Sequence, residues 1–151
     1  MKPEPMDFAI DRERVADYFY AVHILPLVFP DILLFGAGLV VAVIYRYTVG
    51  KWLPKKQAEV LRYWLDGSTL RVDSGVYFLK RKAIPLDRVT DMALVQGPLL
   101  RWCGVWALQV QTAGTSGQAV AEAVLYGLEK PEEIRDQLIK ARDVAVQRSI
   151  A

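Results

Sequence analysis

The run IPLDRVTDMALVQGPLLRWCGVWALQVQTAG, Ile84–Gly114, decides the fold. Val89–Val95 (VTDMALV) and Val105–Thr112 (VWALQVQT) read as strands, the second by its alternation of apolar and polar side chains, the period of a half-buried strand. Between them Gln96-Gly97-Pro98 is a turn, and Leu99–Cys103 forms one helical turn that ends at Gly104. Ile84-Pro85 closes the preceding strand, because proline cannot donate into a central ladder. Upstream, Val60–Leu65 (VLRYWL) is β-branched and aromatic, Asp66-Gly67 is a tight-turn dipeptide, and Thr69–Val72 continues as strand. Asp73-Ser74-Gly75 turns the chain again into a third strand, Val76–Lys82 (VYFLKRK). Downstream, Ala113–Gly117 is a small polar loop and Val120–Leu125 another strand. Pro131 then opens a helix with Glu132 and Glu133 in its first turn, where the helix dipole favours carboxylates. Ile134, Leu138, Ala141 and Ala145 share one face of it, which predicts packing on an apolar surface. Short antiparallel strands closed by one terminal helix predict an α+β roll or small barrel.

The wording of Ile84–Gly114 resembles the signature of the second family of bacterial pleckstrin-homology-like (PH-like) domains, found in YdbS-like membrane proteins. The resemblance extends to Tyr126-Gly127-Leu128, to the helix from Pro131 to Ala141, and back to Tyr63, Leu65 and Gly75. It implies a seven-stranded bent antiparallel β sandwich capped by the C-terminal helix, attached to the bacterial inner membrane by transmembrane helices. Two full-length spans are usual in that family, and one is clear here.

That one lies at Ile32–Tyr45 (ILLFGAGLVVAVIY), fourteen residues without a charge. As a helix they rise only about 21 Å against a hydrocarbon core of roughly 30 Å, so flanking residues must contribute. Either one kinked helix runs from His23 to Val49, or Arg14–Phe29 and Ile32–Lys51 form a short helical hairpin turning at Phe29-Pro30-Asp31. Tyr45, Tyr47 and Trp52 suit the interfacial aromatic belt. The acidic first stretch, with no small-residue cleavage pattern before the domain, predicts a retained anchor rather than a secretory signal. The expected organisation is an N-terminal segment (1–22), a membrane anchor (23–52) and a PH-like domain (57–151) able to fold alone. Arg46, Lys51, Lys55 and Lys56 follow the apolar run, so the positive-inside rule predicts a cytoplasmic domain on the inner membrane.

Composition narrows function. The chain has 151 residues, 53% of them apolar, and a mean hydropathy of +0.18, which excludes intrinsic disorder. A net charge of +2 gives no overall bias towards nucleic acid. The charge is unevenly placed: residues 46–101 carry eleven basic and five acidic side chains, whereas the first 31 residues are acidic on balance. One cysteine and one histidine predict neither an internal disulfide nor a histidine metal cluster, and no phosphate-loop, GxSxG or HExxH motif occurs. No catalytic group, metal or cofactor is expected.

Lys80-Arg81-Lys82, with Arg46, Lys51, Lys55 and Lys56, reads either as a contact to anionic lipid head groups or as a solvated strand end. Trp102 and Trp106 read as core, membrane-facing or partner-binding aromatics. Cys103 reads as a small buried hydrophobe, with no histidine in its domain to activate it. Asp87, Arg88 and Asp91 are exposed edge charges that discourage strand addition. His23 reads as an interfacial side chain. Asp31 fits a turn or an intramembrane carboxylate. The expectation is a membrane-anchored, non-enzymatic module that binds a protein partner or a second copy of itself, with anionic-lipid docking as the alternative.

Overall fold

The computed structural model describes residues 5–28, 37–50, 52–112 and 121–150. Among the described residues seven strands form two antiparallel sheets. The first has the order β1 (Met6–Asp7), β2 (Arg62–Asp66), β3 (Thr69–Ser74), β4 (Lys80–Pro85). The second has the order β5 (Val89–Val95), β6 (Ala107–Thr112), β7 (Ala123–Tyr126). Asp66-Gly67 makes the β2–β3 hairpin, with Gly67 at φ 63°, a conformation that glycine adopts without steric cost. Pro85 ends β4, and a single 3-10 turn, Leu86–Arg88, carries the chain from the first sheet to the second. A short helix α4 (Pro98–Trp102) joins β5 to β6, with Pro98 at its first position. The Val105 carbonyl accepts from the Gln96 side chain at 3.3 Å, which ties the two ends of that connection together.

Inward-facing residues of both sheets make one core, with Leu70, Val72, Ile84, Leu108, Val110 and Leu125 buried. Helix α5 (Pro131–Ile150) lies across the 3-10 turn, β5 and β6. It buries Ile134, Leu138 and Ala145, with Ala141 half-buried, as the helical spacing predicts. Tyr63 is fully buried on β2, and its hydroxyl oxygen accepts the Tyr126 N–H at 3.1 Å, joining the two sheets across the core. Burial raises the Tyr63 phenol well above its ordinary pKa, so it stays protonated.

The expected third strand, Val76–Lys82, is displaced. The paired segment is Lys80–Pro85, in register with Thr69–Ser74, and residues 75–79 form the connection. The β-rich wording of Val76–Leu79 suits a strand, but Gly75 at φ 93° turns the backbone out of the sheet before those residues can pair.

The domain boundary expected at residue 57 does not coincide with a boundary of packing. β1 pairs with the edge of β2, the Asp11 N–H donates to the Gly127 carbonyl at 2.8 Å, and Ile10 bridges Leu128. Residues 6–11 thus stitch the edge of the first sheet to the last strand of the second. Asp11 then caps helix α1 (Arg12–Val28), its Oδ1 accepting the Arg14 N–H at 3.1 Å. Val15 of α1 is fully buried beneath Gly127, and Phe8 is buried as well.

Nor do the helices form one kinked span from His23 to Val49. α1 packs antiparallel against α2 (Ala37–Thr48) and α3 (Trp52–Val60). α1 and α2 therefore lie side by side as two arms, the first starting in the core of the domain, and the expected turn at Phe29-Pro30-Asp31 lies outside the described residues. No helix among the described residues is long and apolar enough to cross a membrane.

Candidate membrane-facing surface

The helical hairpin has two chemically distinct halves. In the half next to the sheets, α1 carries Arg12, Glu13, Arg14 and Asp17, and α3 carries Lys55, Lys56 and Glu59. Arg12 donates to the Ala58 carbonyl at 2.8 Å and also to that of Glu59, capping the last turn of α3 where unsatisfied carbonyls favour a cation. Tyr18 and Phe19 pack on Tyr126 with ring centroids 5.5 and 5.9 Å away. From Tyr18 onward α1 has no Asp, Glu, Lys or Arg, and α2 has one basic residue, Arg46.

This second half is held together by its own contacts. The His23 ring stacks on Tyr45 with centroids 6.5 Å apart, and its Nδ1–H donates to the Phe19 carbonyl. Its outer surface is apolar and open to solvent: Leu25 on α1, and Val40, Val43, Ile44 and Tyr47 on α2, are between 47% and 82% exposed. Tyr47 and Trp52 lie where this surface meets the charged half, as an aromatic belt would. A patch of this kind on adjacent turns is costly in water and marks an interaction or membrane surface.

The basic candidates are not brought together as one cluster. Lys56 pairs with Glu59 at 2.8 Å on α3, which lowers the Glu59 carboxyl below its usual pKa. Lys55 lines the cleft between α1 and α3 with Asp17. On β4, Arg81 pairs with Asp73 at 3.5 Å, and Lys82 reaches Glu122 beside β7, 3.4 Å from its carboxylate and closer to its carbonyl. Among the described residues Lys80 has no ion-pair partner, so one cation of the triplet is free for an external anion. The Arg46 side chain, Lys51, Asp31 and the loop Ala113–Gly117 lie outside the described residues.

Trp102 and Trp106 part company. Trp102 on α4 is 81% exposed, whereas Trp106 is 40% exposed and lines a cleft of about 390 Å³ with Asp11, Arg14 and Gly127. Cys103 is half-buried against α1, and burial, with the nearby Asp17 carboxylate, raises its thiol pKa. That favours the unreactive thiol. Asp87, Arg88 and Asp91 are exposed on the 3-10 turn and on β5, an edge strand of the second sheet. Sequence reading did not single out the N-terminal contributors to this surface. Their signal was present in the Asp11 cap followed by Val15, Phe19 and Val22 at helical spacing.

Two antiparallel sheets of four and three strands, capped by a C-terminal helix, define a PH-like module. A family model described as the bacterial PH domain matches residues 20–142, and the chain belongs to that family. The matched stretch takes in the apolar half of the hairpin as well as the sandwich. The chain is also similar to a transmembrane protein of Bacillus subtilis (strain 168), YdbS, at 27% identity over 86 residues. That alignment covers 57% of this chain and 52% of the relative, so the chain spans about half the length of the curated protein it matches. No solved structure matches the chain.

Proposed function

We propose that this chain is a membrane-held, non-enzymatic PH-like module, attached to the cytoplasmic membrane through the apolar half of its helical hairpin, and that its work is docking. The carrying observation is the exposed apolar surface of α2 and distal α1, bounded by Tyr47 and Trp52 and backed by a charged half packed on the sheets. Fully burying a large aliphatic side chain from water is worth about 1.5–3 kcal/mol, and Leu25, Val40, Val43 and Ile44 are four such residues. The transmembrane designation of the Bacillus relative supports the same placement. On this reading the charged half of the hairpin and the basic side chains near it lie on the cytoplasmic side.

Alkaline carbonate extraction of cell membranes tests the attachment. The full chain is expected in the pellet, and release of most of it into the supernatant would overturn the reading. A second reading, docking of a protein partner, is favoured by Trp102, whose indole is 81% exposed on a helix anchored to the domain. Trp102→Ala is expected to reduce co-purification of a partner from mild-detergent extracts without moving the chain from the membrane fraction.

A further inference from the structure

Ser74 and Lys80 face one another across β3 and β4, so residues 75–79 must reverse the chain. At the tip Tyr77, Phe78 and Leu79 are 71%, 82% and 55% exposed. Turn residues are ordinarily polar or small, and three successive large apolar side chains in water need a physical reason. The connection has a built shape. A Cβ on Gly75 would overlap the Phe78 carbonyl oxygen, so the backbone folds back on itself as only glycine at φ 93° permits. The free cation Lys80 follows the tip directly, with Arg81 and Lys82 behind it.

The chemistry of this tip carries the argument: three exposed apolar side chains are followed at once by a cation without an ion-pair partner among the described residues, while its two neighbours are paired. Tyr77 lies within electrostatic range of Tyr45 on α2, as does Tyr20 on α1, and the Tyr45 ring stacks on His23. That is the level at which both arms of the hairpin pass from charged to uncharged. If the apolar half enters a bilayer, the aromatic tip comes to rest at the head-group boundary.

We propose that Tyr77-Phe78-Leu79 is an interfacial wedge, inserted among the head groups of an anionic bilayer while Lys80 contacts lipid phosphate. The proposal rests on the membrane-held reading and adds to it a second foothold beside the hairpin. The hairpin is already seated in the domain through Val15, and the wedge adds a lipid contact at the same level. Hairpin and wedge together fix the tilt of the sandwich and so fix which face the domain offers to the cytoplasm. Phe and Leu gain by leaving water, and the Tyr hydroxyl keeps a hydrogen bond at the interface. A second copy of the chain is the poorer occupant, since a two-fold contact at this tip sets Lys80 and Arg81 against their own copies.

The test uses the full chain with Cys103→Ser, carrying a single cysteine in place of Phe78 or of Ser68 and labelled with a polarity-sensitive fluorophore. Ser68 sits in the turn at the other end of β3 and is the exposed control. The protein is reconstituted into vesicles of equal parts phosphatidylglycerol and phosphatidylcholine, recovered by flotation and quenched with acrylamide. Expected are several-fold weaker quenching and blue-shifted emission at position 78 relative to position 68, both unchanged when the protein is diluted in lipid. Lys80→Ser is expected to lower the inserted-to-free ratio about fivefold in these vesicles. Failure of the chain to float overturns the wedge together with the membrane-held reading. A floating chain whose position 78 is as open as position 68 overturns the wedge alone. So does shielding that disappears on dilution, which identifies a second copy as the cover, and an unchanged ratio in Lys80→Ser removes the phosphate contact.

Discussion

Gly127 and Gly67 both hold a positive φ, 72° and 63°, yet they differ in what surrounds them. A Cβ on Gly127 would overlap the Val15 methyl, whereas nothing lies within 4 Å of one on Gly67. Gly67→Ala is therefore expected to cost only the backbone strain, about 1 kcal/mol. Gly127→Ala must also displace α1 and is expected to cost about 3 kcal/mol or more in thermal or urea unfolding. Equal losses would mean that α1 is not seated on β7. The Tyr126-Gly127-Leu128 wording was legible as part of the PH-like pattern, but a glycine's neighbour from a distant element is not written beside it. Cys103 was legible as a small buried hydrophobe, but the element that half-buries it, α1, was not. With its thiol raised by burial and by Asp17, alkylation by iodoacetamide at neutral pH is expected to be slower than for an unperturbed cysteine peptide. The rate should keep rising with pH beyond the point at which the peptide saturates. A rate at neutral pH equal to that of the peptide contradicts the burial.

Among the elements, strands β2, β3, β5 and β6 and helix α5 were readable because their local signals agree with their tertiary surroundings: alternation, tight-turn dipeptides, a proline at the first helical position and apolar spacing. β4 was misplaced because Val76-Tyr77-Phe78-Leu79 has strand composition but forms an exposed tip, the backbone at Gly75 having turned out of the sheet ahead of it. The first arm of the hairpin was divided between an N-terminal segment (1–22) and the anchor (23–52), because the uncharged run after Tyr18 masks the amphipathic start. Structurally, α1 is shared: its first two turns belong to the core and its remainder to the apolar surface. A fragment limited to residues 57–151 loses β1, Phe8 and Val15 and exposes the edge of β2. It is expected to melt at a lower temperature and less cooperatively than the full chain. The substitution Val15→Asp in the full chain is expected to be destabilising by several kcal/mol, because it buries an unpaired charge. An unperturbed melt of that variant would show that α1 does not pack on the sandwich.

On the scale of the whole molecule, composition and the Ile32–Tyr45 run pointed to a membrane, and the PH-like pattern pointed to a sandwich. How the two are joined was not legible, since it depends on α1 packing antiparallel to both α2 and α3. The basic triplet was legible as charge but not as a site, because two of its three cations are already paired within the domain. What emerges is a rigid connection: the arms that enter the apolar half begin inside the domain, so the sandwich is carried at a set angle rather than on a loose tether. The central claim is that the distal half of the hairpin lies in lipid while the sheets and α5 do not. The most direct measurement is photolabelling of the full chain in native membranes with a lipid-borne carbene probe, followed by peptide mapping. Label is expected on α2 and on α1 beyond Tyr18, with α5 and β5–β7 spared. Label spread evenly over α5 and the sheets, or absent from α2, would contradict the account.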